Sequence, residues 1–391
     1  MPVINRMAEL HDEITAWRRE FHANPELMYD VEETAASVAA KLKAFGCDEV
    51  VEGIGRTGVV GIIAGRHADA GDGTTIGLRA DMDALPIEEE SGKPWASQNP
   101  GKMHACGHDG HTAMLLGAAR YLAETRNFSG KVAVIFQPAE EGGAGGKAMV
   151  DDGMMSRFGI DEVYGMHNMP GLPVGRFAIR PGPIMAATDE FKVTINGKGS
   201  HAAMPHLGID VIAIAAEIIG ALQKIVSRET DPVDALVVSV TQIQGGFVHN
   251  VLPDNTWFSG TVRSLSPQVR DMAERRIGEI ARGIAMAHGA TADYVYERSY
   301  PVTVNHGAQT DKAIDAARAV AGDAGIITDM PPLLGGEDFS YMLLERPGAF
   351  IFTGNGDSAG LHNARYDFND EAIPHGASYW VQLVERLMPA A

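Results

Sequence analysis

HACGHDGHTAMLLGAARYLAE, residues 104–124, sets three histidines, a cysteine and an aspartate directly ahead of an apolar, helix-like run. Cys106 and His108 alternate across one glycine, so on an extended or turning backbone both side chains can face one pocket. A thiolate and an imidazole are the donors that zinc and its neighbours prefer. Around this stretch lie short apolar runs: VVGIIA (59–64), TIGLRA (75–80), VAVIF (132–136), EVYGMH (162–167) and AFIFTG (349–354). Several end in polar residues, and in an open α/β sheet the loops beyond the strand carboxyl ends form the ligand crevice. The fold class expected is therefore α/β.

The pattern changes near PGP at 181–183. A strand at 190–195, a helix at 208–227, strands at 236–243 and 256–263, a helix at 267–288 and a strand at 291–297 follow in the order β-α-β-β-α-β, a ferredoxin-like arrangement. Ser266 and Pro267 open its second helix and Gly289 ends it. Helices near 311–322 and 371–388 then resume the α/β pattern. One domain is thus inserted in another: 1–185 with 300–391 forms the outer domain, and 186–299 the insertion. In the outer domain, Asp30 with Glu33 reads as a capping box for a helix over 31–45, stopped by Gly46.

A chain of 391 residues is longer than one hydrophobic core comfortably serves, which agrees with two domains. The net charge of −19 argues against nucleic acid or an anionic membrane surface as partner, since both need a positive face. The first residues are too polar for a signal peptide, and no stretch approaches the ~18–20 apolar residues of a membrane span, so a cytoplasmic location is expected. Of the two cysteines, Cys106 looks committed to metal, and Cys47, after Gly46, reads as an apolar filler.

Three further sites carry chemistry. Glu140 and Glu141, in PAEEGGAGG (138–146), repel one another unless a positive centre sits between them. His167 ends EVYGMH, and His362 lies in LHN just after AFIFTGNG. Taken singly, a histidine is more often a hydrogen-bonded structural residue, and a Glu pair is usually solvated. Together, Cys106, His108, Glu141, His167 and His362 fall at strand or loop ends on one side of a sheet, and this combination points to a metal centre.

The chain resembles the hippurate hydrolase and N-acyl-amino-acid amidohydrolase family, which includes the indole-acetyl-amino-acid hydrolases, within the aminoacylase and carboxypeptidase-like co-catalytic metallopeptidases. The resemblance runs through FHANPEL (21–27), RADMDALPIEE (79–89), HACGHDGHTAMLLGAA, FQPAEEGG (136–143), GMHNMPG (165–171), GSHAAMPH (199–206), HNVLPDN (249–255), GGEDFS (335–340) and LHN. It implies a mixed-sheet catalytic domain and an inserted domain that mediates dimerisation, in a homodimer or a dimer-based tetramer. It implies two divalent ions per subunit (zinc, manganese, cobalt or nickel), bridged by Cys106 and completed by His108, Glu141, His167 and His362. Glu140 would then be the general base and His201 an oxyanion-stabilising residue for the neighbouring subunit's site. Asn250 resembles a substrate-contacting amide; Arg263 is a candidate for a substrate carboxylate, and Gly335 and Gly336 for close backbone approach to substrate.

One departure stands out. Other branches carry His-x-Asp where this chain has Asp81-Met82-Asp83, so an expected histidine ligand is absent and Asp83 becomes a candidate for orienting a ligand or Glu140. His104, Asp109 and His111 read as supporting or helix-capping residues. The activity implied is metal-dependent hydrolysis of an N-acyl amino acid to a carboxylic acid and an amino acid. Its rivals are a dipeptidase or aminopeptidase with the same metal centre and a metal-containing binding protein without catalysis.

Overall fold

In a computed structural model that describes residues 3–66 and 73–390, the apolar runs form strands of one eight-stranded sheet. Across it the order is Glu49–Ile54, Gly58–Ala64, Lys131–Gln137, Thr75–Asp81, Glu162–Pro170, Gly348–Gly356, Phe177–Ala178 and Ile326–Ile327. The four central strands, from Lys131–Gln137 to Gly348–Gly356, run parallel, while Gly58–Ala64 and Phe177–Ala178 join antiparallel on either side. Thr75–Asp81 is buried along its whole length, as expected of a parallel strand covered on both faces. Parallel strands end on the same side, so the segments after Asp81, Gln137, Pro170 and Gly356 are delivered together.

Helix His108–Thr125 lies in the core of this unit with helices His11–Ala23, Glu32–Phe45, Gly307–Ala321 and Ile373–Leu387. Its residues from His108 to Ala119 are all buried, so its polar first turn is sealed in the protein rather than solvated. The capping box expected at Asp30 and Glu33 does not form. Helix Glu32–Phe45 has no side-chain cap from its own start; Glu26 supplies it, accepting from the amides of Glu33 at 3.3 Å and Thr34 at 2.8 Å. Gly46 stops the helix at φ 83°, as expected. Cys47 is a free, half-buried thiol packed against the same core.

The chain divides into two compact units: residues 1–184, 304–331 and 338–391 in one, residues 185–303 and 332–337 in the other. The second unit has the β-α-β-β-α-β order, with all neighbours antiparallel in the sheet order Leu236–Gly245, Asn255–Ser264, Ala187–Asn196, Thr291–Arg298. Strand residues alternate buried and exposed, and the buried set, including Phe191, Val193, Phe258 and Val262, packs with helices Val211–Lys224 and Pro267–Ala287. The first helix starts at Val211, not 208, because Asp210 caps it through the amides of Ile212 and Ala213. Residues 332–337 belong with this unit rather than the outer one. Leu333 pairs with Met185, and the amide of Ala186 donates to the carbonyl of Gly335 at 3.0 Å, so a short return segment carries both glycines into the inserted unit.

Among the described residues no helix is long and apolar enough to cross a membrane.

Candidate metal centre

Cys106 sits in a loop tied at both ends. Met103 exchanges hydrogen bonds with Leu85, and the carbonyl of Ala105 accepts from the amide of His362 at 2.8 Å. Gly107 then turns the chain into the helix at φ 92°; a Cβ there would lie 2.3 Å from the Asn168 amide and 2.5 Å from the Tyr366 hydroxyl. Only glycine fits both the left-handed backbone and the space. His108, the first helical residue, is fully buried, and its Nδ1 donates to the carbonyl of Asp83 at 2.8 Å. In the neutral ring that bond places the lone pair on Nε2, which finds no hydrogen-bond partner.

The other candidates converge on this sulfur and this nitrogen. Nε2 of His167 lies 3.3 Å from Sγ of Cys106, while its Nδ1 donates to the carbonyl of Asn168 at 2.7 Å. Oε1 of Glu141 is buried without a hydrogen bond, 3.3 Å from Nε2 of His362 and 3.9 Å from Nε2 of His108. His362 reaches it from a backbone at φ 61°, a left-handed conformation that a non-glycine residue holds only when its surroundings impose it. Asp83 accepts the amides of Glu140 at 2.9 Å and Glu141 at 3.1 Å, one on each carboxylate oxygen, so it sets the backbone from which both glutamates project. Glu140 is itself largely buried.

Five donor groups of three arise among the described residues, and two of them share one atom. Cys106, His108 and His167 form one and Cys106, Glu141 and His362 the other, with ligand atoms in each within 4.8 Å of one another. A cation would reverse the electrostatics of this cluster. Burial pushes the Cys106 thiol well above its ordinary range, and Glu141, Glu140 and Asp81 push it further. Burial disfavours a charged His108, yet Asp81, Asp83 and Glu141 outweigh it and raise the group to about 10. A divalent ion resolves both, because a coordinating thiol is deprotonated outright and a ligating imidazole is neutral. The donor set and its orphaned buried atoms therefore fit a metal.

Asp81 stands where the histidine of other branches was expected. It is fully buried, accepts from Nη1 of Arg79 and Nδ1 of His111, each at 2.6 Å, and lies 3.7 Å from Nε2 of His108. Burial alone would raise its pKa, but His108, Arg79 and His111 hold it well below the usual carboxylate range. Arg79 also pairs with Asp338 at 3.0 Å, and Gln137 joins that carboxylate. The histidines nearby do not all act alike. His111 is engaged at both nitrogens, donating to Asp81 and accepting from the amide of Asn168 at 2.9 Å. Asp109 does not cap the helix; it pairs with Arg18 at 3.3 Å and His22 at 2.8 Å. Arg79, Asp81, Asn168, Asp338 and Tyr366 were not singled out from sequence as members of this cluster. The available signals were Arg79, a charge inside a run otherwise apolar enough to be a buried strand, and Asp81, at the position where a histidine ligand was expected.

In the inserted unit, His201 and Asn250 are brought together in an open groove of about 550 Å³ that Phe247 also lines. His201 pairs with Val251 across a two-residue ladder, and the carbonyl of Asn250 accepts from the amide of Ala202 at 3.0 Å. Arg263 is not part of that groove's lining; its half-buried guanidinium turns back to the carbonyl of Val262 at 3.0 Å and to the hydroxyl of Thr261. Gly336 lacks room for a side chain, since a Cβ would meet Thr188 at 2.4 Å, whereas Gly335 meets only the end of Met185 at 3.3 Å.

Fold and site together define a protein with a buried thiol, imidazole and carboxylate donor cluster beyond the carboxyl ends of parallel strands. The model of Peptidase family M20/M25/M40 matches residues 77–386, and the chain belongs to that family. It is similar to the hippurate hydrolase of Campylobacter jejuni, at 40% identity over 383 residues and 98% of each chain. It is also similar to the N-acetyl-L-cysteine deacetylase of Bacillus subtilis, at 39% identity over 98% of this chain and 90% of that one. Among solved structures, the Bacillus subtilis YXEP protein, a dinuclear metal binding peptidase of the M20 family, superposes with a TM-score of 0.85. That match has 34% identity and covers 98% of this chain and 100% of the other. The protein is accordingly a metal-dependent amide hydrolase.

Proposed function

We propose that the protein hydrolyses N-acyl amino acids to a carboxylic acid and an amino acid, using two divalent cations per chain. The observation that carries this reading is the pair of donor sets sharing the sulfur of Cys106, with His108 and His167 on one side and Glu141 and His362 on the other. Bound there, the cations would polarise the amide carbonyl and lower the pKa of water. Glu140 takes the proton of the attacking water as the C–O bond forms and returns it to the departing nitrogen as the C–N bond breaks, a role worth typically ~10²–10⁴ in rate. Glu141, not Glu140, falls in the sets that share Cys106, which supports this division of labour, while Glu140 lies close enough to His108 and Glu141 to face the same centre. Asp83, accepting both amides, is the residue that keeps the two glutamates apart.

The substrate class rests on the relatives. Hippurate and N-acetyl-L-cysteine both join an acyl group to an amino acid through an amide. Asn250, Arg263, Gly335 and Gly336 are the proposed substrate contacts. His201 would act as the oxyanion donor of a partner's site in a homodimer, or dimer-based tetramer, formed through the inserted unit. Zinc suits the thiolate and imidazoles, and manganese, cobalt and nickel suit the mixed donor set as well. The cytoplasm is the proposed location.

The test is release of free amino acid from benzoyl-, acetyl- and indole-acetyl-amino acids by metal-loaded protein. Hydrolysis of at least one of these classes is expected. Two bound ions with no release from any of them would overturn this substrate class, and release from free dipeptides in the same assay would assign a dipeptidase instead.

A further inference from the structure

The donor sets are carried by four separate segments, around Cys106 and His108, Glu141, His167 and His362, and one buried residue, Asn168, bonds to the first, to the third and, through Tyr366, to the stretch after His362. Asn168 is fully buried and uses every hydrogen-bonding group it has. Its carbonyl accepts from Nδ1 of His167 at 2.7 Å, and its backbone amide donates to Nε2 of His111 at 2.9 Å. Its side-chain Nδ2 donates to the carbonyl of Cys106 at 2.6 Å, and its Oδ1 accepts from the hydroxyl of Tyr366 at 2.7 Å. Tyr366 closes a turn on Asn363, the residue after His362, whose own amide is bonded to Ala105. The absence of a side chain at Gly107 has the same origin, since the Asn168 amide and the Tyr366 hydroxyl occupy the space a Cβ would need.

The geometry points to Asn168 as the positioning residue of the metal centre: through Cys106, His167 and, by way of Tyr366, the His362 segment, it sets the spacing of the two donor sets. This rests on the proposed metal-binding reading. Its side-chain bonds to Cys106, to Nε2 of His111 at 3.0 Å and to Tyr366 fix the amide in one orientation, and the two backbone carbonyls involved, of Cys106 and Asn168, tie down the Cys106 loop and the His167 ring. Fixing ligands before the ion arrives is what gives partners of ligands their effect on metal affinity, typically ~10–100-fold per partner lost.

Asn168→Asp keeps the size of the side chain but sets an oxygen against the Cys106 carbonyl. The full-length metal-free variant is titrated with Co²⁺ against a chelator of known affinity, with the sulfur-to-metal charge-transfer absorption recorded at saturation. We expect affinity to fall by roughly 10–100-fold and the band to change in energy or intensity while circular dichroism reports a folded chain. Tyr366→Phe, which removes a single hydroxyl, should move both readouts in the same direction by less. A folded Asn168→Asp protein with wild-type affinity and band overturns the inference. If that variant fails to fold, wild-type behaviour of Tyr366→Phe overturns it instead. Absence of a thiolate band or of Co²⁺ binding in the wild type defeats the metal reading itself, a result distinct from wild-type binding that survives the Asn168 change.

Discussion

Around Cys106 the side chains are committed before any substrate arrives; around His201 they are not. His111, His167, Asn168 and Tyr366 are buried and bonded to one another or to neighbouring carbonyls, and the buried atoms without a partner include two proposed ligand atoms, Nε2 of His108 and Oε1 of Glu141. In the inserted unit, His201 and Asn250 stand on exposed backbone beside Phe247, itself 93% exposed. The contrast is one of task. On the proposed reading, the metal ligands are preorganised against the cost of burying unlike donors, whereas His201, acting on a partner's site, has to remain open to it.

The deepest cut through this comparison is Cys106→Ala, which removes the atom common to both donor sets; loss of bound metal and of all measurable hydrolysis together is expected, by elemental analysis and amino-acid release. Glu140→Gln should separate the two: metal content unchanged, turnover down by roughly 10²–10⁴. Were Glu140→Gln to strip metal while Glu141→Gln did not, the roles of the glutamates would be reversed. In the other region, His201→Ala should lower turnover by about 10²–10³, as for loss of an oxyanion donor, with metal content intact. Mixing that variant with Glu140→Gln should restore part of the activity through heterodimers that hold one complete site; verified heterodimers that stay inactive would show that no site is shared.

The smallest effect concerns the support beneath the helix of His108. Burial disfavours a charged His22, but Asp109 and Glu89 outweigh it and raise the group to about 9. A folded-state pKa above the unfolded ~6.5 means that the stabilisation is complete below that pH and is lost as pH rises through about 9. The difference in unfolding free energy between wild type and His22→Gln should therefore shrink between these limits, by at most roughly 3 kcal/mol. A difference that does not vary with pH would assign His22 a packing role only.

The legibility of the sequence follows the same division. Apolar runs ending in polar residues announced the parallel strands, and strand direction brings the segments carrying Glu141, His167 and His362 to one side, while Cys106 and His108 come there on a loop pinned by Leu85 and His362. The order of the inserted unit was equally readable, since Ser266, Pro267 and Gly289 mark its second helix locally. What escaped depends on contacts distant in sequence. Glu26 replaces the nearby Asp30 and Glu33 as cap, residues 332–337 return to the inserted unit, and Asn168 gains its meaning from Cys106, 62 residues earlier, and Tyr366, 198 later. No local pattern reveals such partners.

The most direct measurement is metal stoichiometry against activity. Metal-free protein is titrated with Zn²⁺ or Co²⁺, with bound ions per chain counted and hydrolysis followed at each addition. Full activity is expected only at two ions per chain, with both sites impaired in Cys106→Ala. Saturation at one ion per chain with full activity would contradict a centre in which Cys106 is shared by two cations.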